Sequence, residues 1–382
     1  MRSDIMNRFE VGPQILYGRG SIGCLIEKDF RNVMLVTEKF IVDSEISKKV
    51  TNILSLQGSD YNVFSEVKPD PTVDLVIKSL DMMVTERPDC IIALGGGSSI
   101  DTAKAMMYFF MKMDQNKEMK KPYFVAIPTT SGTGSEVTSY SVITDTKEGK
   151  KIAFDDPIMM PDLAIVDSKF TITVPKKVTA DTGLDILTHS IEAFVSKKSN
   201  DYTDTLAEGA IKIVFSYLLK AFKDGKDEVA REKLHNASTM AGIAFNNSSL
   251  GINHSLAHAL GARFHIPHGR ANAMLMPHII KYNSEEKQAR SRYAYITKSI
   301  GIEVPDERNS VNALVKAVEI LNEKLEIPHS LKDMGIEREE FYSAIDEMVD
   351  KAMNDICTEN NPRIPSRTDF IKIYEDLYNG KK

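Results

Sequence analysis

The sequence predicts two domains: an α/β domain on a parallel sheet over residues 1–177, then an all-helical domain over residues 178–382. Three observations predict this. Short apolar runs of strand length alternate with helix-length segments through the first half. One of those runs ends directly in Gly95-Gly-Gly-Ser98, where a helix begins. After about residue 177 only helical spacing continues. A chain of 382 residues is also long for a single core.

Composition narrows the class. Hydrophobic content of 42% and charged content of 27% describe a soluble globular protein. A net charge of −6 with no long basic run argues against a nucleic-acid surface. Cys24, Cys90 and Cys357 are scattered, form neither a CxxC clip nor a disulfide framework, and suit a reducing compartment. No apolar run approaches about 18 residues and the N-terminus lacks an apolar core, so neither a membrane span nor a signal peptide is expected. The expectation is a cytoplasmic protein of enzyme size.

The elements follow in order. Gly18-Arg-Gly20-Ser-Ile-Gly23 matches GxGxxG, but the strand before it is short, and the match is read as a turn into a helix over 21–29. Asn32–Thr37 is a buried strand with Glu38 at its carboxyl end, followed by a helix over 43–57 and a short strand over 61–64. Pro69-Asp70-Pro71-Thr72 breaks the chain and caps a helix over 73–86. Asp89–Leu94 is a fully buried strand running into the Gly95–Ser98 turn. Glycines there let the backbone approach a ligand, and the helix start offers unpaired N–H groups, so this junction reads as a phosphate or pyrophosphate cradle. Lys104 is not placed as in a Walker A loop. Residues 111–122 read as a charged surface connection. Tyr123–Ile127 is another buried strand, and Pro128–Glu136 is a hydroxyl- and glycine-rich loop at the sheet's carboxyl edge, where open α/β sheets bind ligands. Residues 162–167 supply a further strand.

The second half reads as helices near 180–196, 204–222, 226–245, 251–262, 271–282, 284–300, 307–325 and 337–353. Four of the chain's eight histidines fall in Gly251–Gly269. His254 and His258, four apart in a helical run, leave one face, with Gly261 as the expected helix stop and His268 on a following loop. Asp185 and His189 repeat the four-residue step. Carboxylate and imidazole donors without thiolates suit Fe(II), Zn(II), Mn(II) or Co(II). Asp185, His189, His254 and His268 form the expected ligand set. His258 is a ligand or a proton relay, the relay being preferred because four ligands fill the set. His265 and His278 lack the pattern and stay unassigned; His235 is expected at the surface. A phosphate-cradling sheet facing a Lewis-acidic metal across a cleft points to hydride exchange between a nicotinamide and an alcohol or aldehyde.

At this point the chain resembles a known family. Gly95–Lys104, Pro128–Glu136, Asp185–His189, His254–His258 and Pro267-His268-Gly269 resemble the iron-containing alcohol dehydrogenases, in the branch holding lactaldehyde reductase, 1,3-propanediol dehydrogenase and 1-propanol dehydrogenase. The likeness runs over essentially the whole chain, including Cys357–Arg363. It implies an N-terminal dinucleotide-binding domain, a C-terminal metal-binding domain, and NAD(P)-dependent interconversion of primary alcohols and aldehydes. By the same likeness the metal ligands fall on Asp185, His189, His254 and His268, and pyrophosphate contacts on Gly96, Gly97 and Ser98. Further cofactor contacts fall on Asp101, Thr129, Thr130, Thr133, Ser139, Val142 and Lys151, and pocket lining on Tyr140, Phe245 and Cys357. Glu38 stands where an Asp would contact the adenosine ribose, Asp70 where an Asn would, and Ser139 replaces a Thr. A carboxylate at Glu38 hydrogen-bonds the ribose hydroxyls and repels a 2′-phosphate, so NAD is expected over NADP. The metal is expected to be Fe(II), with Zn(II) accepting the same ligands. A homodimer or larger even assembly is expected, in the cytoplasm, whether free or inside a bacterial microcompartment.

Two relatives of this chemistry, glycerol dehydrogenase-like polyol oxidation and 3-dehydroquinate synthase-like non-redox chemistry, are the alternatives. A pocket built from Ala244, Phe245, Leu250 and Ile252 would lack the basic cluster that a phosphorylated acid needs, which argues against the second. A metal hydrolase would leave the two glycine-rich loops without a role. A vestigial, scaffolding role conflicts with the intact ligand set.

Overall fold

The apolar runs of the first half become the inner strands of one parallel sheet. The computed structural model describes residues 8–113, 120–146 and 150–381. In the first half β1 (Gln14–Tyr17), β2 (Asn32–Glu38), α1 (Lys39–Val42), α2 (Glu45–Gln57), β3 (Asp60–Val67), α3 (Val73–Glu86), β4 (Cys90–Gly95), α4 (Gly97–Met113) and β5 (Tyr123–Pro128) are followed by β6 (Tyr140–Asp145), β7 (Lys150–Asp155) and β8 (Leu163–Val166). The sheet order is β1-β8-β5-β4-β2-β3, all neighbours parallel.

Alternation along each strand divides its side chains between two cores. Val33, Leu35, Ile92, Leu94, Val125 and Ile127 pack on one face. Met34, Val36, Ile91, Ala93, Phe124 and Ala126 pack on the other. Helices cover both faces, which is why these strands read as continuous apolar runs. From β2 the chain goes outward to β3, then returns to β4 on β2's other side. The carboxyl ends of β2 and β4 therefore flank a crevice at the switch point, and Glu38 and Gly95 sit at those ends.

The second half holds α5 (Lys176–Val195), α6 (Asp201–Lys223), α7 (Glu228–Ser248), α8 (Ile252–Phe264), α9 (His268–Asn283), α10 (Lys287–Ser299), α11 (Glu307–Lys324), α12 (Arg338–Met353) and α13 (Arg367–Asn379). α5 is the hub. Nearly every residue from Thr179 to Val195 is buried, and α6, α7 and α9 pack around it. Among the described residues no helix is long and apolar enough to cross a membrane.

Several expectations are corrected. The helix expected over 21–29 is a 3-10 turn over Ser21–Glu27, and the glycines before it fold onto the protein itself: Gly20 N–H donates to Asp167 Oδ2 at 2.9 Å. β3 is longer than expected, α4 runs on to Met113, and residues 114–119 of the expected connection lie outside the described residues. The antiparallel β6–β7 hairpin and α13 were not foreseen. α8 passes through Gly261 and stops at His265, whose φ is 55°. Gly261 is needed because a Cβ there would meet the Ile266 carbonyl at 3.1 Å. His268 is not on a loop but opens α9, behind Pro267.

The two halves meet along α7. Thr239 donates to Glu136 Oε1 (2.7 Å), Ser131 Oγ lies 3.0 Å from His235 Nδ1, and Ser139 N–H donates to Asn246 Oδ1 (3.1 Å). His235, expected at the surface, is 1% exposed in this seam. At its centre two glycines face each other: a Cβ on Gly134, whose φ is +62°, would stand 2.6 Å from Gly242 Cα. Gly134→Ala should therefore cost about 1–3 kcal/mol through overpacking and backbone strain. Thermal unfolding should show it as a lowered Tm; an unchanged Tm would mean the seam has slack.

Candidate metal centre and cofactor cleft

The register of α5 places Asp185, His189 and Glu192 on one face, because steps of four and three residues follow the helical turn. α8 brings His254 and His258 to the same place, and the first turn of α9 brings His268. Asp185, His189, His254 and His268 offer one donor atom each within 4.8 Å of one another. Asp185 Oδ1 lies 3.5 Å from His268 Nε2 and 3.9 Å from His254 Nε2, and Asp185 Oδ2 lies 4.0 Å from His189 Nδ1. Donors bound at about 2.1 Å to one ion sit about 3.4 Å apart, so a small inward movement would suffice. His189 Nδ1 and His254 Nε2 are buried without a hydrogen-bond partner. Orphaned buried nitrogens facing a buried carboxylate are what a cation would satisfy, so these residues fit a divalent metal.

A second layer aims them. Glu192 Oε2 is 2.5 Å from His254 Nδ1, and its Oε1 accepts from Asn253 N–H at 2.7 Å. That fixes the His254 proton on Nδ1 and leaves Nε2 for the metal. Burial pushes the Glu192 carboxyl up to about 7, against the backbone donors of Gly251 and Asn253. Burial likewise raises the Asp185 carboxyl and holds the His254 ring neutral, the form a ligand needs. Asn272 donates to Asp185 Oδ1 at 2.8 Å. Arg270 clamps Asp181 through two 3.0 Å bonds, seating α9 on α5. The seat is so close that a Cβ on Gly269 would fall 2.0 Å from the Asp181 carbonyl. Sequence reading missed Glu192, although it lies on the Asp185–His189 face, because that reading stopped at the pair.

Across the cleft lies the glycine cradle. α4 begins at Gly97, and a Cβ there would meet Thr133 Cγ2 at 2.8 Å; one on Gly96 would meet Thr130 Oγ1 at 3.3 Å. Thr129 N–H donates to the Gly95 carbonyl (2.9 Å), so the two loops lie against each other; Gly97, Ser98 and Thr133 line the cavity, and Gly96, Thr129 and Thr130 sit behind them. Asp101 accepts from Ser135 Oγ (2.7 Å) and Val142 N–H (3.1 Å), so these two expected cofactor contacts also hold each other. Lys104 is wholly buried. Its Nζ donates to Ser135 Oγ, Thr138 Oγ1 and the Tyr140 carbonyl at 2.8–2.9 Å, tying α4 to the loop and hairpin. Burial draws its ammonium down to about 8, with Asp101 and Glu136 opposing. Glu38 Oε2 is buried beside Gly95 and Ser99, and burial pushes its carboxyl up to about 7. Ser139 Oγ donates to Asp155 (2.6 Å); Asp70, at φ 55°, lines the cavity. Lys151 lies on β7, its side chain outside the described residues.

One cavity of about 260 Å³ joins the two sides, reached by Gly97, Ser98, Asp101, Thr133, Tyr140 and Val142 from the sheet, and Asp185, His189, His254, His258, His268, Phe245 and Cys357 from the helices. Phe245 stacks on His189 with centroids 4.6 Å apart. Ala244 and Ile252, expected in the pocket, are instead fully buried in the helical core; Leu250 does line it.

The iron-containing alcohol dehydrogenase family matches residues 12–168, and its C-terminal model, the Fe-containing alcohol dehydrogenase family, C-terminal, matches residues 179–378. The chain belongs to this family. Among its relatives is the 1-propanol dehydrogenase PduQ of Citrobacter freundii, 38% identical over 97% of this chain and 100% of that one. The NADPH-dependent butanol dehydrogenase of Clostridium saccharobutylicum is 41% identical over 98% and 99%. A solved 1,3-propanediol oxidoreductase superposes with a TM-score of 0.91 at 29% identity, covering 98% and 100%. A sulfoacetaldehyde reductase from Bifidobacterium kashiwanohense in complex with NAD+ gives 0.85 at 28%, covering 98% and 99%. This iron-containing alcohol dehydrogenase is thus an oxidoreductase that interconverts small alcohols and aldehydes with a nicotinamide dinucleotide and a metal. Glu192→Ala should lower its metal affinity about 10–100-fold, read by chelator competition; unchanged affinity would remove Glu192 from the metal's support.

Proposed function

We propose that this enzyme transfers hydride between NAD(H) and short-chain primary alcohols or aldehydes of the ethanol, 1-propanol, propanediol or lactaldehyde type, with Fe(II) in the site and Zn(II) as an accepted substitute. The observation that carries this is the single cavity with four metal donors on one wall and a glycine-hydroxyl cradle on the other. In this reading residues 1–177 hold the dinucleotide and residues 178–382 hold the metal.

A cation held by Asp185, His189, His254 and His268 would supply Lewis acidity to the reacting oxygen, and a nicotinamide would take or give the hydride. The chain does the rest. Backbone N–H groups at Gly96, Gly97 and Ser98, with Thr129, Thr130, Thr133, Ser139 and Lys151, bind the dinucleotide; Asp101 and Val142 fix the loop beside it. Glu38 and Asp70 receive the adenosine end. Phe245, Tyr140 and Cys357 wall off a small, mostly apolar space for the carbon chain and exclude water. The hydroxyl proton passes to His258 and on to solvent. Among the described residues no lysine or arginine lines the cavity, which disfavours a phosphorylated acid as substrate.

Cofactor choice rests on Glu38. Its charge repels a 2′-phosphate above its pKa of about 7 and fades below it. The ratio of kcat/KM for NAD to that for NADP should therefore fall as pH drops from 8 to 6. A ratio near one throughout would refute the NAD assignment, and one well below one would favour the cofactor named for the butanol dehydrogenase relative. Scattered free cysteines support a cytoplasmic site, and a homodimer or larger even assembly is carried over from the family likeness. An anaerobic panel of short alcohols and aldehydes with NAD(H) and Fe(II) or Zn(II), followed at the NADH band, tests the whole reading. His268→Ala should lose metal and turnover together; full metal content in that variant would take His268 out of the set.

A further inference from the structure

A second group of side chains faces the same cavity without belonging to the metal set. His258, Asp355 and Cys357 bring a ring nitrogen, a carboxylate and a thiol within 4.8 Å of one another. His258 comes from α8, one turn beyond His254; Asp355 and Cys357 come from the segment after α12. Asp355 Oδ2 lies 2.8 Å from His258 Nδ1. Asp355 Oδ1 accepts from the Cys357 N–H at 2.9 Å and from Ser255 Oγ at 3.4 Å. Both carboxylate oxygens are thus committed. Burial alone would raise the Asp355 carboxyl, but the His258 ring and the Cys357 donors outweigh it and hold the group ionised well below the usual range. Burial and the Asp355 charge push the Cys357 thiol well above its ordinary value, so it stays protonated. The His258 ring also stacks on His268, centroids 5.2 Å apart and planes 17° off parallel.

An ionised carboxylate that accepts only, placed against Nδ1, requires the ring proton there. The stack fixes the ring's plane, and the Asp355 bond fixes its rotation within that plane. Nε2 is then left as the ring's acceptor on the cavity side. We propose that Asp355 is a positioning residue for alcohol oxidation: it locks His258 in the Nδ1–H form and presents Nε2 to the substrate hydroxyl. The proposal rests on the alcohol-oxidising reading above. It assigns to Asp355 no contact with substrate, cofactor or metal.

Asp355→Asn keeps the shape and reverses the bond. With its oxygen still taken by the Cys357 N–H, the amide turns its NH2 to the ring, which must then accept at Nδ1 and carry its proton on Nε2. The expected result is a loss of at least about tenfold in kcat for a short alcohol, with metal content and KM for NAD unchanged. In a His258→Asn background the same change should cost less than about twofold, because the partner it acts through is gone. Full, additive losses in the two backgrounds would overturn the proposal. Nitrogen NMR of the Zn(II)-loaded, 15N-histidine-labelled protein reads the tautomer directly: the proton should sit on Nδ1 of His258 in the wild type and on Nε2 in Asp355→Asn. A wild-type ring protonated on Nε2 would overturn it, as would a second equivalent of Zn(II) seated between His258, Asp355 and Cys357 at stoichiometric metal. An inactive wild type with the expected nitrogen spectrum would refute the substrate reading while still supporting the ring's orientation.

Discussion

The structure turns on one buried anion. Asp185 sits 3% exposed on α5, a helix packed on all sides, where an unpaired carboxylate costs several kcal/mol. The Asn272 amide donates to it, three imidazole nitrogens lie 3.5–4.0 Å from its oxygens, and among the described residues no arginine or lysine pairs with it. Compare Asp181 one turn earlier, which Arg270 clamps through both oxygens. Within one turn the helix thus carries a carboxylate paired with arginine that builds the fold and an incompletely compensated one whose surroundings fit a cation. The surrounding detail serves the second: Glu192 sets the His254 tautomer, and Gly269 lets α9 approach closely enough to deliver His268.

The same logic divides the cleft. The helical wall gathers one carboxylate and three imidazoles at its base, while the sheet wall carries the start of α4 at Gly97 and Ser98. In the proposed reading an anionic pyrophosphate takes the second wall and a cation the first, with the seam along α7 joining the two halves beside them. That seam explains why Gly134 and Gly242 must both be glycine and why Glu136, His235 and Thr239 are buried polar groups bonded across it.

Much of this was legible in the sequence, for physical reasons. Parallel strands covered on both faces leave unbroken apolar runs, so β2, β4, β5 and β8 announced themselves. Ligands that share a helix repeat at helical spacing, so Asp185–His189 and His254–His258 could be read directly. What escaped was burial of polar surface. His235 looked exposed because its neighbours are polar, yet it is buried in the interdomain seam beside Ser131. Glu192 extends the helical spacing of Asp185 and His189 but acts through His254, while Asp355, on the segment after α12, leaves no spacing rule of its own. Gly261 looked like a helix stop, but it serves the close return of Ile266. The β6–β7 hairpin was missed because it is a small two-stranded sheet beside the main one, packed on α4.

The central claim is that four side chains from α5, α8 and α9 hold one divalent cation opposite the cradle. Anomalous scattering from crystals grown with Fe(II) or Zn(II), recorded at that metal's absorption edge, tests it most directly. The account predicts one peak per chain, about 2.0–2.2 Å from donor atoms of Asp185, His189, His254 and His268. A sole peak at the His258–Asp355–Cys357 cluster, or none near Asp185, would contradict it.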